Sequence, residues 1–262
     1  LDLLAVGIDP EVSTLFIQSQ VKEHAELALI LSMITPLSWL ERNPTYKDQI
    51  QELKGTELHT HGFLGYPVLQ AADIMLYKAE GVPVGEDQLP HLEVTREIIR
   101  RFNFLYKKSV FPEPKALLSP VAKLPGLDGR KMSKSYDNCI YLRDDEKTVR
   151  EKVRVMLTDP ARKLRTDKGH PEVCPVFSYH KIFNLTEVPT IEHECREAIL
   201  GCVDCKKKLA DRLLETIKPI MEKRAELSKT KSAVDGILEA GAKRARQVAA
   251  ATLEEAREVI GL

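Results

Sequence analysis

The fold of this chain is decided by residues 82–96, which read VPVGEDQLPHLEVTR. The first three residues are a short apolar run that predicts a strand, and Gly85 ends it. Pro90 is typical of the first turn of a helix, and apolar residues at helical spacing continue that helix to about Phe102. A strand that leads through a tight turn into a helix is the repeating unit of parallel α/β sheets.

The residues before this stretch continue the alternation of strand and helix. An opening helix ends at Gly7, residues 14–17 predict a short buried strand, and residues 23–33 predict a helix. Apolar residues recur at helical spacing over residues 66–79. We therefore predict an α/β fold for residues 1–143, a Rossmann-like, doubly wound parallel sheet that is incomplete at its N-terminus.

The residues after this stretch have a different pattern. Residues 111–130 are rich in Pro and Gly and predict a loop. From residue 144 to the end the pattern is almost entirely helical, with Asp145 as a cap at the start and Thr252-Leu-Glu-Glu255 as a capping box for the last helix. We predict a domain boundary near residue 143 and an all-helical second domain over residues 144–262.

Composition excludes several classes of protein. The chain has no net charge, no apolar run of the roughly 20 residues that a membrane span needs, and no signal peptide, so we expect a cytoplasmic protein with no membrane partner. Residues 129–168 hold 12 basic and 7 acidic side chains. A local basic excess is compatible with a polyanion site, although charge alone favours solvated helix faces.

The sharpest local motif is a lysine-serine loop in which two glycines precede two lysines. Two ammonium groups separated by small polar residues can neutralise charge that develops on a triphosphate, although a solvated basic loop has a similar sequence. The motif residues are Gly126, Gly129, Lys131, Met132, Ser133, Lys134 and Ser135.

Lys131 to Ser135 resembles the KMSKS signature of class I aminoacyl-tRNA synthetases, without alteration. The resemblance implies that this loop closes over ATP, which enters with Mg²⁺ as a substrate. It places the catalytic Lys131 and Lys134 on the phosphates and the Met132 backbone beside the adenine. Ser133 and Ser135 then belong to the same ATP site.

Residues 66–74 and 82–96 resemble the tryptophanyl subgroup of that family, and tyrosyl specificity is the alternative that Gly85-Glu-Asp87-Gln88 disfavours. Asp73 lies on an otherwise apolar helix, where it can accept the indole N–H of tryptophan. A site built to bond a substrate donor rejects analogues that lack it. Without the motif, a carboxylate that caps a neighbouring element would be the simpler interpretation.

The resemblance also implies individual binding roles. Gly85 lets the backbone approach the nucleotide and Asp87 faces the ribose, while Tyr66 and Gln88 hold the amino group of the substrate. Gln70 stands where many members of the subgroup have Met. The implied tryptophan-binding residues are Asp73, Tyr66, Gln88, Gln70, Val82 and Val84.

One expected segment of the family does not occur in this sequence. Class I synthetases carry a HIGH-like motif on the first strand-to-helix turn, and His59-Thr-His61 stands in the wrong context for it. The chain also lacks an initiating Met, so we expect an N-terminally truncated fragment that forms no Trp-AMP alone. The full-length enzyme is expected to act on tRNA(Trp) and to be a homodimer, with residues 39–47 as a candidate part of the interface.

Four cysteines have the spacing C-x20-C-x6-C-x2-C. Four thiolates can hold a [4Fe–4S] cube or one zinc ion, and plain buried thiols remain a third interpretation. The wide first gap favours the cube, and the spacing resembles an iron–sulfur subset of tryptophanyl-tRNA synthetases, although the first gap there is slightly longer. The predicted ligands are Cys174, Cys195, Cys202 and Cys205, which leaves Cys139 as a core residue.

Basic residues near these cysteines could meet tRNA phosphates. Arg162, Lys163 and Arg165 are the candidates, and the resemblance implies that residues 144–262 form the domain that binds the tRNA anticodon. The alternative from another class is an RNA-binding metalloprotein that never activates an amino acid. A mere binder has no need of a loop that stabilises pyrophosphate, so the motifs together favour the enzyme.

Overall fold

The computed structural model of the protein describes residues 1–52, 60–118, 124–133 and 136–262. The strands are β1 (Gly81–Val84) and β2 (Lys115–Leu118). The helices are α1 (Asp2–Ala5), α2 (Glu23–Ile34), α3 (Leu37–Glu41), α4 (Pro44–Glu52), α5 (His61–Met75), α6 (Leu89–Leu105), α7 (Glu146–Val155), α8 (Pro175–Phe183), α9 (Val188–Arg196), α10 (Cys202–Lys229) and α11 (Lys231–Ile260).

These elements form two compact units. We call residues 10–120 and 235–262 the sheet unit, and residues 1–9 and 121–234 the helical unit. The domain boundary predicted near residue 143 falls inside the helical unit and stays a prediction.

The sheet unit contains the two strands, which pair in parallel. Gly81 lies opposite Lys115 and Val84 opposite Leu118, and α6 provides the crossover that parallel strands need. The strand, turn and helix predicted for residues 82–96 are confirmed. The loop prediction is wrong at β2, because four residues directly after a Pro-rich stretch are too few to show a strand pattern.

The core of the sheet unit lies where α5 packs against α2 and α6. Leu27 and Leu31 of α2, Met75 of α5, and Ile98 and Phe102 of α6 are almost completely buried there. Burying each such side chain stabilises the fold by about 1.5–3 kcal/mol. This packing fixes the position of α5, which carries the candidate substrate residues.

Residues 14–17 do not form the predicted strand in the described structure. This segment instead packs closely against α11. The approach is so close that a Cβ atom at Gly241 would lie only 1.8 Å from the Leu15 carbonyl oxygen. Arg244 of α11 also donates to the Pro10 carbonyl oxygen at 2.7 Å. Contacts with the distant α11 replace pairing with another strand, and no local sequence pattern reveals them.

The predicted capping box for the last helix is also wrong. Thr252 is 6% exposed and lies inside the continuous helix α11, so its Thr-x-x-Glu pattern belongs to a helix interior. The opening helix, by contrast, ends as predicted, and Gly7 adopts a φ of +108° that favours glycine.

The helical unit is built around α7 and α10, which pack against each other. Val149 and Val153 of α7 and Leu209 and Leu213 of α10 are buried between them. Asp145 caps α7 as predicted, since its carboxylate accepts from the Thr148 backbone N–H at 2.7 Å. No helix in the described part of the chain is both long and apolar enough to span a bilayer.

Candidate functional site

One face of α5 carries three of the six predicted tryptophan-binding residues. Tyr66, Gln70 and Asp73 are spaced four and three residues apart, which places them on the same side of the helix. Tyr66 is 51% exposed, whereas the Gln70 side-chain oxygen is buried and has no hydrogen-bond partner among the described residues. Thr60 caps the helix by accepting from the Phe63 backbone N–H at 3.2 Å.

The Asp73 carboxylate is held by two residues from earlier in the chain. The Gln18 amide Nε2 donates to Oδ1 at 2.7 Å and to Oδ2 at 2.8 Å. The His24 ring nitrogen Nδ1 lies 2.6 Å from Oδ1. The side chain of Asp73 is 36% exposed and that of His24 only 5%. The carboxylate therefore has fixed partners and remains partly open to solvent.

Sequence reasoning misses Gln18 and His24. His24 shares the buried face of α2 with Leu27 and Leu31, and a histidine on an apolar helical face is a signal that could have identified it, because buried polar groups need partners. Gln18 lies 55 residues from Asp73, and no local pattern connects the two.

The turn after β1 brings a second group of predicted residues together. Asp87 folds back over Gly85, so that a Cβ atom at Gly85 would lie 2.6 Å from its Oδ1. The Gln88 amide donates to Asp87 Oδ2 at 3.1 Å. Val82 and Val84 share one half-buried face of β1. The glycine thus leaves room for an exposed carboxylate at the carboxyl end of the strand.

His91 links this turn to α5. The Tyr66 ring packs edge-on against the His91 ring, with centroids 5.6 Å apart. Burial lowers the pKa of His91, and the Asp87 charge opposes that shift. Within the described part of the chain, its buried Nδ1 has no hydrogen-bond partner. A neutral His91 therefore packs beneath Tyr66.

The lysine-serine loop is held in the helical unit by the buried Asn138. Its Oδ1 accepts from the Ser133 backbone N–H at 2.8 Å, and its Nδ2 donates to Asp128 Oδ1 at 2.8 Å and to the Lys131 carbonyl oxygen at 3.1 Å. Hydrogen bonds from Asn138 and then Arg130 hold the pKa of Asp128 at about 2.

The loop residues differ in their surroundings. The Lys131 side chain is exposed, while Met132 packs against the core of the helical unit. Lys134 and Ser135 lie outside the described residues. The described half of the loop is thus anchored through backbone atoms, which leaves one lysine free to meet a ligand.

The four predicted cysteine ligands line one small cavity in the helical unit. Cys174 precedes α8, Cys195 lies near the end of α9, and Cys202 begins α10. Burial raises the pKa of Cys205 to about 12. As arranged, no three His, Cys, Asp or Glu side chains in the described parts of the chain could hold a metal ion. Cys139 is buried elsewhere.

The predicted RNA-contacting residues separate into buried and exposed ones. Arg162 is 8% exposed and lines the cysteine cavity, where its Nη1 lies 3.8 Å from Cys195 Sγ. Its Nε has no hydrogen-bond partner in the parts of the chain that the structure describes. Lys163 and Arg165 are exposed and line an adjoining groove of about 370 Å³.

Comparison with known proteins agrees with these features. The family model described as tRNA synthetases class I (W and Y) matches residues 1–218. The tryptophan–tRNA ligase of Thermotoga maritima is 55% identical over 99% of this chain and 79% of its own length. That of Aquifex aeolicus is 44% identical over 100% and 84%.

Solved structures show the same relationship. The tryptophanyl-tRNA synthetase of Campylobacter jejuni complexed with ADP and tryptophan superimposes with a TM-score of 0.85 at 36% identity, covering 100% of this chain and 81% of the other. A tyrosyl-tRNA synthetase of Archaeoglobus fulgidus has a TM-score of 0.62 at 20% identity, which shows a shared fold only. The chain therefore belongs to the class I tRNA synthetases for tryptophan and tyrosine, on the tryptophan–tRNA ligase branch.

Proposed function

We propose that Asp73 selects tryptophan in a ligase that forms Trp-AMP from tryptophan and ATP and transfers the amino acid to tRNA(Trp). The partly open Asp73 carboxylate on the otherwise apolar α5 carries this proposal. The indole N–H is a donor that phenylalanine lacks, and a fixed carboxylate can accept it. An analogue without this donor would leave one acceptor site of the carboxylate without a hydrogen-bond partner in the bound complex. Such a site can prefer tryptophan over the analogue by roughly 10⁴–10⁵-fold.

The remaining amino-acid contacts come from the same face of α5 and from β1. Tyr66 and Gln88 hold the substrate's amino group, and the unpartnered Gln70 oxygen offers an acceptor between Tyr66 and Asp73. Val82 and Val84 supply an apolar wall. A few fixed polar groups on an apolar lining are typical of a selective small-molecule pocket.

The ATP contacts are divided between two loops. Gly85 lets the nucleotide approach the backbone after β1, and Asp87 bonds the ribose hydroxyls. The phosphate and adenine contacts come from Lys131, Met132, Ser133, Lys134 and Ser135. Attack by the tryptophan carboxylate on the α-phosphate drives negative charge onto the departing pyrophosphate, which Lys131 and Lys134 neutralise. Mg²⁺ enters with ATP and adds positive charge at the phosphates.

We propose that the cysteine cavity holds a [4Fe–4S] cube, with zinc as the alternative, once the thiols move from the present arrangement, in which no three side chains of the described residues are placed to hold a metal ion. Four thiols line it, and the buried Arg162 Nε without a partner could donate to a sulfur atom there. The wide first gap of the C-x20-C-x6-C-x2-C spacing favours the cube over a zinc ion. The cube would tie together the irregular chain between α8, α9 and α10.

The surface beside this cavity is proposed to meet RNA. Lys163 and Arg165 are exposed beside Cys202 in the adjoining groove, where they can contact phosphates, while Arg162 supports them from below through its bond to the Arg165 carbonyl oxygen. Phosphate contacts fix the position of the RNA without reading bases.

A second copy of the chain is the proposed partner of the α2 surface. Leu29, Met33 and Leu37 are 60%, 77% and 62% exposed, and Leu29 and Leu37 border an apolar cavity of about 390 Å³. Large exposed apolar patches mark interaction sites. We propose a homodimer that works in the cytoplasm, where aminoacylation supplies protein synthesis.

Amino-acid-dependent ATP–pyrophosphate exchange tests the proposed function. We expect the product of the complete reading frame that contains this chain to exchange with tryptophan and not with tyrosine. Asp73→Asn should lower kcat/KM for tryptophan roughly 10- to 100-fold and leave the KM for ATP unchanged. Exchange that depends on tyrosine, or on no amino acid, would reject the assignment.

The same assay addresses the expectation that a HIGH-like segment is required. That expectation stays a prediction: the 262-residue chain alone should show no tryptophan-dependent exchange. Exchange at the rate of the complete product would contradict it.

A further inference from the structure

Asp73 belongs to a chain of hydrogen bonds that extends through the core of the sheet unit. His24 lies between Asp73 and Tyr77, with Nδ1 2.6 Å from the carboxylate and Nε2 2.9 Å from the Tyr77 hydroxyl. The Phe16 ring packs 5.8 Å from the His24 ring and 5.9 Å from the Tyr77 ring. These contacts hold the imidazole in one orientation.

The bonding partners determine where the ring proton of His24 lies. Burial raises the pKa of Tyr77 to about 12, so the phenol keeps its proton at neutral pH and can donate to Nε2. When the phenol donates to Nε2, that nitrogen acts as the acceptor and the ring proton lies on Nδ1, where it is donated to Asp73. His24 thus presents a donor to the carboxylate.

Gln18 restrains the orientation of the Asp73 carboxylate through further hydrogen bonds. Its amide donates to both oxygens, at 2.7 and 2.8 Å, which fixes the rotation of the Asp73 carboxylate plane. Gln18 begins a short 3₁₀ turn just before α2, and its side chain is exposed at the surface of the unit.

The number of acceptor positions leaves room for a substrate. A carboxylate has roughly four lone-pair sites, and Gln18 and His24 occupy three of them. If these hydrogen bonds served only to join α2 to α5, the carboxylate would need no acceptor site open to solvent. The Asp73 side chain is nevertheless 36% exposed.

We propose that Gln18 and His24 are positioning residues that aim the free lone pair of Asp73 at the substrate's ring N–H. The inference rests on the proposed role of Asp73 and adds how that carboxylate is preorganised. A carboxylate free to rotate would meet the indole donor in only part of its orientations, and selectivity would fall.

The test compares tryptophan with its benzothienyl analogue, in which sulfur replaces the ring N–H. With the product of the complete reading frame, Gln18→Ala and His24→Phe should each raise the KM for tryptophan about tenfold with little change in kcat. The KM for the analogue and for ATP should not change, because neither uses the Asp73 lone pair. His24→Asn keeps a donor near the Nδ1 position and should restore much of the loss.

The outcomes separate this inference from the proposed function. If Asp73→Asn leaves the preference for tryptophan over the analogue unchanged, the proposed role of Asp73 fails. If Asp73→Asn removes that preference but Gln18→Ala and His24→Phe do not, only the positioning role fails. An equal loss for tryptophan and the analogue would show a merely structural role. Gln18→Ala alters an exposed side chain, so it remains informative if His24→Phe does not fold.

Discussion

The Asp73 site and the cysteine cavity are built in opposite ways. The Asp73 carboxylate itself has hydrogen-bond partners, since Gln18 and His24 are bonded to it. Around the cysteine cavity the four cysteines are partly buried, and the buried Arg162 Nε has no hydrogen-bond partner among the described residues. Unsatisfied buried polar groups destabilise a fold. This difference agrees with the two proposals, that the Asp73 site is preorganised for a substrate and that a resident group completes the cysteine cavity.

The largest expected effect concerns the cysteine cavity. Cys205→Ser should abolish iron and sulfide binding in anaerobically purified protein, with loss of absorbance at about 400 nm, because a cube needs its thiolate ligands. Cys139→Ser is the matched control and should retain the cluster, since Cys139 is buried away from the cavity. If the unaltered protein contains zinc and no iron, the site is a zinc site and the cube is rejected. If it contains neither metal, the proposed metal site itself is rejected.

The next largest effect concerns the packing that holds Gln18 beside Asp73. Gly241→Ala should destabilise the protein by about 2–3 kcal/mol, because the new Cβ would lie 1.8 Å from the Leu15 carbonyl oxygen and displace the segment that carries Gln18. Gly236→Ala on the same helix meets nothing within 4 Å and should stabilise slightly, by up to about 1 kcal/mol. Urea unfolding measures both, and equal effects would contradict the close packing.

A smaller effect separates nucleotide binding from amino-acid binding. Asn138→Ala removes the bonds to the Ser133 N–H, the Lys131 carbonyl and Asp128, so the lysine-serine loop loses its anchor. The KM for ATP should rise about tenfold, while the KM for tryptophan stays within about twofold. An unchanged KM for ATP would mean that the loop is held by other contacts.

The smallest effect concerns His91, which packs beneath Tyr66. Its pKa lies below the ordinary 6.5 because of burial, so neutral His91 stabilises the fold above that pH. This contribution is lost as the pH falls below 6.5. His91→Gln should therefore flatten the decline in unfolding free energy as the pH falls below 6.5. An unchanged slope would show that other groups cause the decline.

The sequence predicts local structure better than it predicts distant contacts. The strand, turn and helix of residues 82–96 follow from neighbouring residues, and so does the Asp145 cap. The structure of residues 14–17 does not follow from neighbouring residues, because this segment packs against Gly241 of α11 and not beside another strand.

The same limit applies to the candidate site. The position of Asp73 on an apolar helix identifies it as a candidate, but its partners Gln18 and His24 lie 55 and 49 residues away. Charge patterning likewise identifies Arg162 as a surface residue, whereas the structure buries it against Cys195. Its burial depends on how the chain after α7 folds around the cysteines, which spacing alone does not reveal.

A crystal structure of the complete product with bound tryptophan tests the central claim most directly. We expect the indole nitrogen about 3 Å from an Asp73 oxygen, with Gln18 and His24 still bonded to that carboxylate. An indole nitrogen bonded to another residue, or an Asp73 that turns away from the ligand, would contradict the claim.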